Sequence, residues 1–559
     1  MAITSALRVR RPAWTWLLIP GCACLIALFA WSSDDAEISY RVVENVVAGH
    51  GPVFNRDERV MVFTHPLWLG CLAALRLLTR LHAHWCAAAL GLACSLATLL
   101  SLRQLLERAG PGAHFSFAVF VALAATSFTF LAYQTSGLEN SLTHLLLLLA
   151  ARAFVAGDGR QTSIWVWLGL LNRLDQGLLL LPLMAAAALG QWRTEGFLRT
   201  LRLQATAALP LLCWELFSAV YYGFLLPNTA VAKLWPLTDQ RLRGFDYLVD
   251  LILAEPVHAA VLGALVVAAL WQVLRSSAPG DRGGRATLLL IGGAALQTLY
   301  VIWVGGDFMR GRFLTSAAVA LALAGCLSLA LRRPEWPAWR PLVGGVLALL
   351  CLTDLRASAE SPRRHWYTGR PGAKTLRWIS NEWSFYADRS SLLRAPFSRL
   401  PPIFSAVERD DPQRQMTFCL KVGDPEERYP PNVKWLMRDW AFITDPFTAR
   451  IPDYNPDSNV GHVIKSVPSE YLALEKAALV PRYRDIDRPA LEAAYRRQRL
   501  ADWKDPSLQR LFFVVTAIVR EPLFTPLRRR ALLLYYSGRW RRMTAEELLP
   551  FQEAHRPYW

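Results

Sequence analysis

Long runs of apolar residues recur through the first two-thirds of the chain, and each is close to the length of a membrane-crossing helix. The first extends from about Trp14 to Trp31, and the others lie near 85–102, 114–133, 141–156, 203–220, 257–275, 286–304, 313–331 and 340–355. A helix needs about 20 mostly apolar residues to cross the hydrocarbon core of a bilayer. The pattern therefore predicts a mainly α-helical, multi-pass membrane domain.

Two further apolar runs do not predict simple crossings. The run 65–80 is short and carries Arg76, which favours a helix that dips into the membrane or lies at its surface. The run 164–191 is too long for one crossing and contains Arg173-Leu174-Asp175, which predicts two half-helices that meet at the outer face. Backbone broken at membrane depth is tolerated only where it lines protein or a water cavity. With half-helices included, we expect about ten to twelve spans.

Composition changes near Asp354, where the chain becomes far more polar. We therefore predict a transmembrane domain over residues 1–355 and a soluble domain over residues 356–559, for which we expect a mixed α/β fold. The second domain is long enough to bury its own core. A segment rich in arginine, serine and proline, Arg356 to Arg370, joins the two.

Charge indicates which connections face the cytoplasm. The net charge is +17, and cytoplasmic loops carry the excess of lysine and arginine. The arginine-rich connections contain Arg103/Arg108, Arg152/Arg160, Arg193/Arg199, Arg275/Arg282/Arg285 and Arg332/Arg333/Arg339. Because the basic residues form no single block, the charge argues against a nucleic-acid partner.

The remaining connections are predicted to face outward, together with the soluble domain. They are 34–64, 136–140, 221–246 and 305–312. We therefore expect the C-terminal domain to lie on the extracytoplasmic side of the membrane.

The outward connections hold most of the ionisable residues that border the membrane core, and charged groups there are costly and by default mark a function. Together with the predicted break at Arg173-Leu174-Asp175, these connections contribute the charged residues Asp34, Asp35, Glu139, Arg173, Asp175, Lys233, Asp307, Arg310 and Arg312. Each also has a structural interpretation, such as a helix cap, a snorkelling lysine or a local salt bridge.

The first outward connection begins with an amphipathic pattern. Ile38, Val42 and Val46 recur every four positions, with polar residues between them. This spacing predicts a helix that lies at the membrane interface. Asp34 or Asp35 would cap its first turn, and Gly49 or Gly51 would end it.

Several motifs together carry a resemblance to a known family. They are Asp34-Asp35-Ala36 with Arg41, Gly49-x-Gly51-x-Val53-Phe54-Asn55, Thr64-x-Pro66-Leu67-Trp68, Ser136-Gly137-Leu138-Glu139, Pro227-Asn228-Thr229-Ala230-x-Ala232-Lys233, Gly306-Asp307-Phe308-Met309-x-Gly311-Arg312-Phe313, Thr444-Asp445-Pro446-Phe447-x-Ala449-Arg450, Gly461-His462 and Pro468-x-x-Tyr471. In this order they resemble the polyprenyl-phosphate-sugar-dependent glycosyltransferases of the GT-C superfamily, and within it the mycobacterial terminal arabinofuranosyltransferases.

The resemblance implies a GT-C type helix bundle and an enzyme that takes a sugar from a polyprenyl-phosphate donor. Family members of this type use decaprenyl-phosphoryl arabinofuranose, and the acceptor would be a hydroxyl of a cell-surface glycan or protein on the outer side. The chain departs from the family's pattern at Arg173-Leu174-Asp175-Gln176 and at His65. The resemblance therefore leaves the acceptor and the sugar open.

Glycosyl transfer from a phosphate ester needs a carboxylate and cations in one site. The resemblance implies that Asp34 or Asp35 accepts the proton of the acceptor or stabilises the cationic sugar. Arginine and lysine suit the donor phosphate, which indicates Arg41, Lys233 and Arg312. The other candidates for substrate binding are His65, Glu139, Arg173, Asp175, Asn228, Asp307 and Arg310.

No spacing of candidate ligands is distinctive enough to predict a metal site, and a divalent cation that neutralises the phosphate stays an open alternative.

Two other functions fit a polytopic protein with charged residues. One is a transporter or flippase of lipid-linked sugars, and the other is a non-catalytic membrane protein that binds glycan. Against the transporter, the charges gather at one face instead of the midplane, and the sequence has no internal repeat of the kind that transporter halves show.

Overall fold

The computed structural model describes residues 14–56, 58–233, 235–275, 281–331, 444–454, 456 and 505–555, with short pieces at 349, 352–353, 355–356, 379–384, 386 and 391. Helices dominate this part of the chain. They are α1 (Trp14–Leu28), α2 (Asp34–Val47), α3 (Pro66–Thr79), α4 (Ala83–Ala109), α5 (Ala113–Thr126), α6 (Phe128–Gln134), α7 (Asn140–Ala156), α8 (Gly159–Asn172), α9 (Gly177–Glu195), α10 (Phe197–Tyr221), α11 (Asn228–Lys233), α12 (Gln240–Ala254), α13 (Pro256–Arg275), α14 (Arg282–Trp303), α15 (Thr315–Ala330), α16 (Pro506–Arg520), α17 (Pro526–Tyr536) and α18 (Ala545–Ala554).

The prediction of a mainly helical membrane protein is confirmed. Six helices among the described residues are long and apolar enough to cross a bilayer, or up to seven if the bent pair α5 and α6 forms one span. They include α4, α10, α13 and α14. No strand occurs in the described ranges, where an isolated bridge joins Met309 to Ser380. The count of ten to twelve spans and the α/β fold of the C-terminal domain stay predictions.

The helix pattern differs from the sequence prediction at the span 114–133. Instead of one continuous helix, α5 ends at Thr126 and α6 begins at Phe128, with a bend of 80° between them. Ser127 makes this break because its backbone is extended and its side chain accepts a hydrogen bond from the N–H of Phe130. A serine that caps a helix looks like any small residue inside an apolar run, so periodicity alone does not show the bend.

The break predicted within 164–191 is present at Arg173. This residue is extended, with φ −155° and ψ 120°, and it separates α8 from a 3-10 turn at Leu174–Gln176 that leads into α9. The turn and α9 together are long and apolar enough to form a span. The second element is therefore longer than the half-helix predicted.

The chain forms two compact units. Unit 1 comprises residues 1–33, 87–210 and 241–397, and unit 2 comprises residues 34–86, 211–240 and 398–559. Each unit thus draws on three separate parts of the chain. The predicted domain boundary at 355/356 stays a prediction.

Unit 1 is a helix bundle with an apolar interior of leucine, alanine and phenylalanine. Glycines allow its backbones to approach closely. A Cβ built on Gly293 of α14 would lie 2.4 Å from the carbonyl oxygen of Leu179 on α9. Small residues at such contacts are the usual means of close helix packing in membranes.

One end of the unit 1 bundle gathers connections that were predicted to face the cytoplasm. The N–H of Gly112 donates to the oxygen of Ala330 at 3.0 Å, and Arg152 donates to Gln104 at 2.6 Å. Connections that were predicted to lie on the same side of the membrane are therefore found at the same end of the bundle. Which side of the membrane this end faces stays a prediction.

Unit 2 joins the first polar connection to the C-terminal part of the chain. Helix α2 packs on α3, where Arg76 pairs with Glu44 at 3.0 Å. The N–H of Arg59 donates to the oxygen of Val519 in α16 at 2.9 Å. The described C-terminal residues and the connection 34–64, which were predicted to share one side of the membrane, thus lie together.

Gly306 gives a direct test of the turn between α14 and α15. Its φ of +81° favours glycine, and an added Cβ would lie 2.6 Å from the ring of Tyr247. We expect Gly306→Ala to lower the free energy of unfolding by at least about 1–2 kcal/mol from backbone strain, seen as a lower Tm in thermal unfolding in detergent. The control is Gly292→Ala within α14, where a Cβ meets nothing within 4 Å. Equal Tm values for the two variants would contradict the placement of this turn.

Candidate functional site: two charged clusters

The first cluster, which we call the Glu139 cluster, lies in unit 1 and consists of Glu139, Arg173, Asp175, Asp307 and Arg312. Glu139 immediately precedes α7, and its carboxylate accepts hydrogen bonds from Arg173 Nη1 at 2.5 Å and Arg312 Nη2 at 3.5 Å. Its side chain is only 1% exposed. One buried carboxylate therefore joins two arginines that are far apart in sequence.

Arg173 makes a second ion pair inside this cluster. Its Nε and Nη2 each lie 2.7 Å from the carboxylate oxygens of Asp175, in a bidentate arrangement. The 3-10 turn after the α8 break places Asp175 two residues beyond Arg173, so the pair forms locally. Arg173 and Asp175 thus form a local, partly buried salt bridge, and the contact with Glu139 connects the pair to the rest of the cluster.

Arg312 and Asp307 come from the glycine-rich turn between α14 and α15. Gly305, Gly306 and Gly311 have φ values of 93°, 81° and 66°, which allow the chain to fold back tightly. Arg312 Nη1 lies 4.0 Å from Asp307 Oδ2. The N–H of Phe308 donates to the other carboxylate oxygen of Asp307 at 3.0 Å. The turn therefore holds an acid and a base side by side, and its arginine reaches Glu139.

Arg310 points to a different partner. It forms a bidentate pair with Asp250 of α12, at 2.8 and 3.1 Å. Sequence reasoning did not single out Asp250, whose acidic side chain looks like an ordinary polar position of an amphipathic helix. Its pairing depends on a contact across 60 residues, which the local pattern does not show.

Two buried asparagines support the Glu139 cluster and were also missed. Asn140 Nδ2 donates to the oxygen of Arg312 at 3.2 Å and to Thr315 Oγ1 at 2.9 Å. Asn172 Nδ2 donates to Thr143 Oγ1 at 2.9 Å and to the backbone carbonyl oxygen of Glu139 at 3.4 Å. Amide side chains that join three helix ends are a means of fixing the charged residues in place.

The remaining candidate residues lie in unit 2. They are Asp34, Asp35, Arg41, His65, Asn228 and Lys233. Asp34 and Asp35 begin α2, and the side chain of Asp34 lies outside the described part of the structure. Lys233 is the last residue of α11 and is partly exposed. The meeting of these residues with the Glu139 cluster stays a prediction.

Arg41 and His65 are joined to their own surroundings. Arg41 Nε donates to the oxygen of Phe54 at 2.7 Å, and its guanidinium lies 4.8 Å from the centre of that ring. Ser39 Oγ and His65 Nε2 lie 2.8 Å apart, which ties α2 to the start of α3. Arg41 therefore holds the turn that follows α2, and its role in phosphate binding stays a prediction.

Asn228 connects two of the motifs that carry the family resemblance. Its Oδ1 accepts a hydrogen bond from Arg450 Nη1 at 2.6 Å, and its Nδ2 donates to the backbone carbonyl oxygen of Asp445 at 3.0 Å. The carboxylate of Asp445 in turn accepts from the N–H groups of Phe447 and Thr448. The motif at 227–233 and the motif at 444–450 thus form one buried structure.

Arg450 is the centre of this second cluster, which we call the Arg450 cluster and which consists of Asn228, Asp445 and Arg450. Its guanidinium lies 3.9 Å from the centre of the Phe224 ring, and its Nε donates to the hydroxyl of Tyr535 at 3.1 Å. Burial lowers the pKa of Arg450, and the neighbouring Tyr535 opposes that effect. The residue is held as a structural cation that joins α11, the 3-10 turn at 448–450 and α17.

Neither cluster, as described, contains a recognisable metal-binding site. Within the residues that the structure describes, no group of three or more histidine, cysteine, aspartate or glutamate side chains is arranged to hold a metal ion. The alternative of a divalent cation stays untested by this geometry.

The ion pairs of Glu139 lead to a prediction about stability. Glu139→Ala would remove the carboxylate that pairs with Arg312 and with Arg173, although Arg173 would keep its pair with Asp175. Removal of one partner from a buried ion pair costs about 3–5 kcal/mol of stability. We expect a marked fall of Tm in thermal unfolding. The control is Glu195→Ala, which removes a surface pair with Arg199, an arginine that is 76% exposed, and should change stability by less than about 1 kcal/mol. A similar small change in both variants would show that Glu139 is not ion-paired as described.

Arg450 leads to a second prediction. Lysine has no planar guanidinium that could stack on Phe224 while separate nitrogens donate to Asn228 and Tyr535. Arg450→Lys should therefore lower Tm and make the C-terminal part of the chain more sensitive to limited proteolysis. Arg529→Lys on the exposed side of α17 is the matched control. Proteolysis unchanged from the native protein would contradict the role assigned to Arg450.

The chain is similar to two curated proteins, each named terminal β-(1→2)-arabinofuranosyltransferase. It is 31% identical to the protein of Corynebacterium glutamicum, over 52% of this chain and 47% of that protein. It is 30% identical to the protein of Mycobacterium tuberculosis, over 55% of this chain and 54% of that protein.

The chain thus spans about half the length of the curated relatives it matches. No protein-family model matches it, and no solved structure does. The resemblance to terminal arabinofuranosyltransferases that the motifs predicted is confirmed by these two relatives.

Proposed function

We propose that this protein is a membrane glycosyltransferase of the GT-C type that transfers arabinofuranose from a polyprenyl-phosphate donor to a hydroxyl of a cell-surface glycan or protein. The similarity to two arabinofuranosyltransferases supports the reaction class. The helices that are able to cross a bilayer support a multi-pass membrane protein that reaches a lipid-linked donor. The donor expected from the resemblance is decaprenyl-phosphoryl arabinofuranose.

The observation that best supports this function is the Glu139 cluster. It brings together charged residues from three separate breaks in the helix bundle, before α7, after α8 and before α15. Charged side chains buried in an apolar helix bundle are costly, and in membrane proteins they mark a functional site by default. Two of the three segments, 136–139 and 306–313, carry motifs of the family resemblance.

Two guanidinium groups and three carboxylates suit the chemistry of a phosphate-linked sugar. The bond between the anomeric carbon and the phosphate oxygen breaks, and the phosphate leaves with negative charge. Arg312 would stabilise that charge, because arginine binds phosphate oxygens in pairs. Glu139, Asp175 and Asp307 would orient the arginines or accept hydrogen bonds from sugar hydroxyls. No step is assigned to a metal ion.

The acceptor hydroxyl must lose its proton as it bonds to the anomeric carbon, and we assign this proton to Asp34 or Asp35. The assignment rests on the family resemblance, in which these two aspartates open the first outward connection.

The reaction would take place on the outer side of the bacterial plasma membrane. The arginine-rich connections gather at the other end of the unit 1 bundle from the Glu139 cluster, and such connections favour the cytoplasm. The polyprenyl chain would lie against exposed leucines of the unit 1 helices.

The test is transfer of labelled arabinofuranose from decaprenyl-phosphoryl arabinofuranose to a synthetic arabinan acceptor by the purified protein. We expect Asp34→Asn or Asp35→Asn to reduce kcat at least about 100-fold, since general-base catalysis contributes about 10²–10⁴-fold, while Tm stays near that of the native protein. Glu195→Gln, at an exposed position of α9, is the control. Native rates in both aspartate variants would remove the catalytic assignment.

Other outcomes of this assay identify the alternative functions. Movement of labelled lipid across vesicles without a new glycosidic bond would indicate a flippase. Binding of arabinan without transfer would indicate a non-catalytic glycan-binding protein. A rate that falls with EDTA and returns with Mg²⁺ would establish the divalent cation.

A further inference from the structure

A short segment that follows the predicted domain boundary packs against unit 1. It comprises Ile379–Ser384 and Tyr386, which we call the strap. Sequence reasoning assigned these residues to the soluble domain, on the basis of the polar composition of the region. The structure places the strap in unit 1 with the helix bundle.

Backbone hydrogen bonds attach the strap to the glycine-rich turn before α15. The N–H of Ser380 donates to the oxygen of Phe308 at 2.7 Å, and the N–H of Arg310 donates to the oxygen of Ser380 at 3.0 Å. These bonds lie on either side of Met309, so the strap pairs with the turn that carries Asp307 and Arg312. Backbone pairing of this kind fixes the register of the two segments.

Side chains anchor both ends of the strap. Ile379 packs against the apolar cluster of Tyr247, Val301 and Leu314. At the other end, the indole N–H of Trp383 donates to the oxygen of Phe29 at 3.1 Å. The Trp383 ring stacks on Phe29 with centroids 5.2 Å apart.

Between these anchors, Glu382 is 1% exposed. It lies two residues after Ser380, which is less than about 7 Å along the chain. Tyr133, near the end of α6, is buried within range of the charges of Glu382, Arg312 and Asp307. The strap therefore brings another carboxylate to the Glu139 cluster.

A buried carboxylate opposes folding unless charged or hydrogen-bonding groups compensate for it. The anchors of the strap are apolar contacts and backbone hydrogen bonds of Ile379, Ser380 and Trp383. A carboxylate beside a site for a sugar phosphate has a direct use, because ionised oxygens are the strongest acceptors for hydroxyl groups.

We propose that Glu382 is a substrate-binding residue of the Glu139 cluster, where its carboxylate accepts hydrogen bonds from hydroxyl groups of the transferred sugar. This inference rests on the proposed function and deepens it. The strap then acts as a wall of the site, and Ser380 and Trp383 position the carboxylate.

The test compares Glu382→Gln with the native protein in transfer kinetics and in donor binding. Glutamine keeps the size of the side chain but not its charge. We expect kcat/KM to fall by at least about tenfold, the cost of one charge-assisted hydrogen bond of about 1.5–3 kcal/mol, with an unchanged Tm. Stabilisation by decaprenyl-phosphoryl arabinofuranose in thermal unfolding should fall in parallel.

The matched control is Ser384→Ala in the same strap. The Ser384 hydroxyl donates to the oxygen of Asn381 at 2.8 Å, so its loss disturbs the strap locally without removing a charge. We expect kcat/KM within about twofold of native for this variant. Native kinetics and native donor stabilisation in Glu382→Gln would overturn the proposal, as would an equal loss in Ser384→Ala.

The outcomes also separate this inference from the proposed function. If the native protein transfers no arabinofuranose, the proposed function is wrong, and the comparison of donor stabilisation still decides whether Glu382 binds the lipid-linked sugar. If the native protein is active and only Glu382→Ala loses activity together with Tm, while Glu382→Gln is normal, Glu382 is a packing residue and the proposal is wrong.

Discussion

The arrangement of unit 1 depends on the contact of Glu139 with Arg173 and Arg312. A carboxylate that is almost fully buried in an apolar bundle is stable only when cations compensate for its charge, and these two arginines come from positions 34 and 173 residues away. The three helix breaks that carry these residues must therefore meet. Asn140 and Asn172 hold the same breaks with hydrogen bonds, so the charged residues are fixed before any substrate binds.

A comparable constraint organises unit 2, although its centre is structural. Arg450 joins Asn228 to the turn at 444–450, and its guanidinium stacks on Phe224. Two separate motifs of the family resemblance are thus partners of each other. This explains why residues more than 200 positions apart occur together in the family resemblance, without requiring that each contacts a substrate.

The sequence predicted most of what depends on local patterns. Apolar runs located helices such as α4, α7 and α14, the four-residue spacing located α2, and the charged pair located the break at Arg173. The bend at Ser127, the pairing of Arg310 with Asp250 and the placement of Glu382 were not predicted, because each depends on a contact between distant parts of the chain. The charged residues of the Glu139 cluster could be identified from the sequence because acidic and basic side chains beside apolar runs are costly to bury, whichever partners they have.

The central proposal is that the Glu139 cluster, together with Asp34 or Asp35, acts on one lipid-linked sugar. An experimental structure with a slowly reacting analogue of decaprenyl-phosphoryl arabinofuranose tests this most directly. The account predicts that the donor phosphate lies within hydrogen-bonding distance of Arg312 and that the carboxylate of Asp34 or Asp35 faces the anomeric carbon. A donor bound away from Arg312, or with both aspartates remote from the sugar, would contradict it.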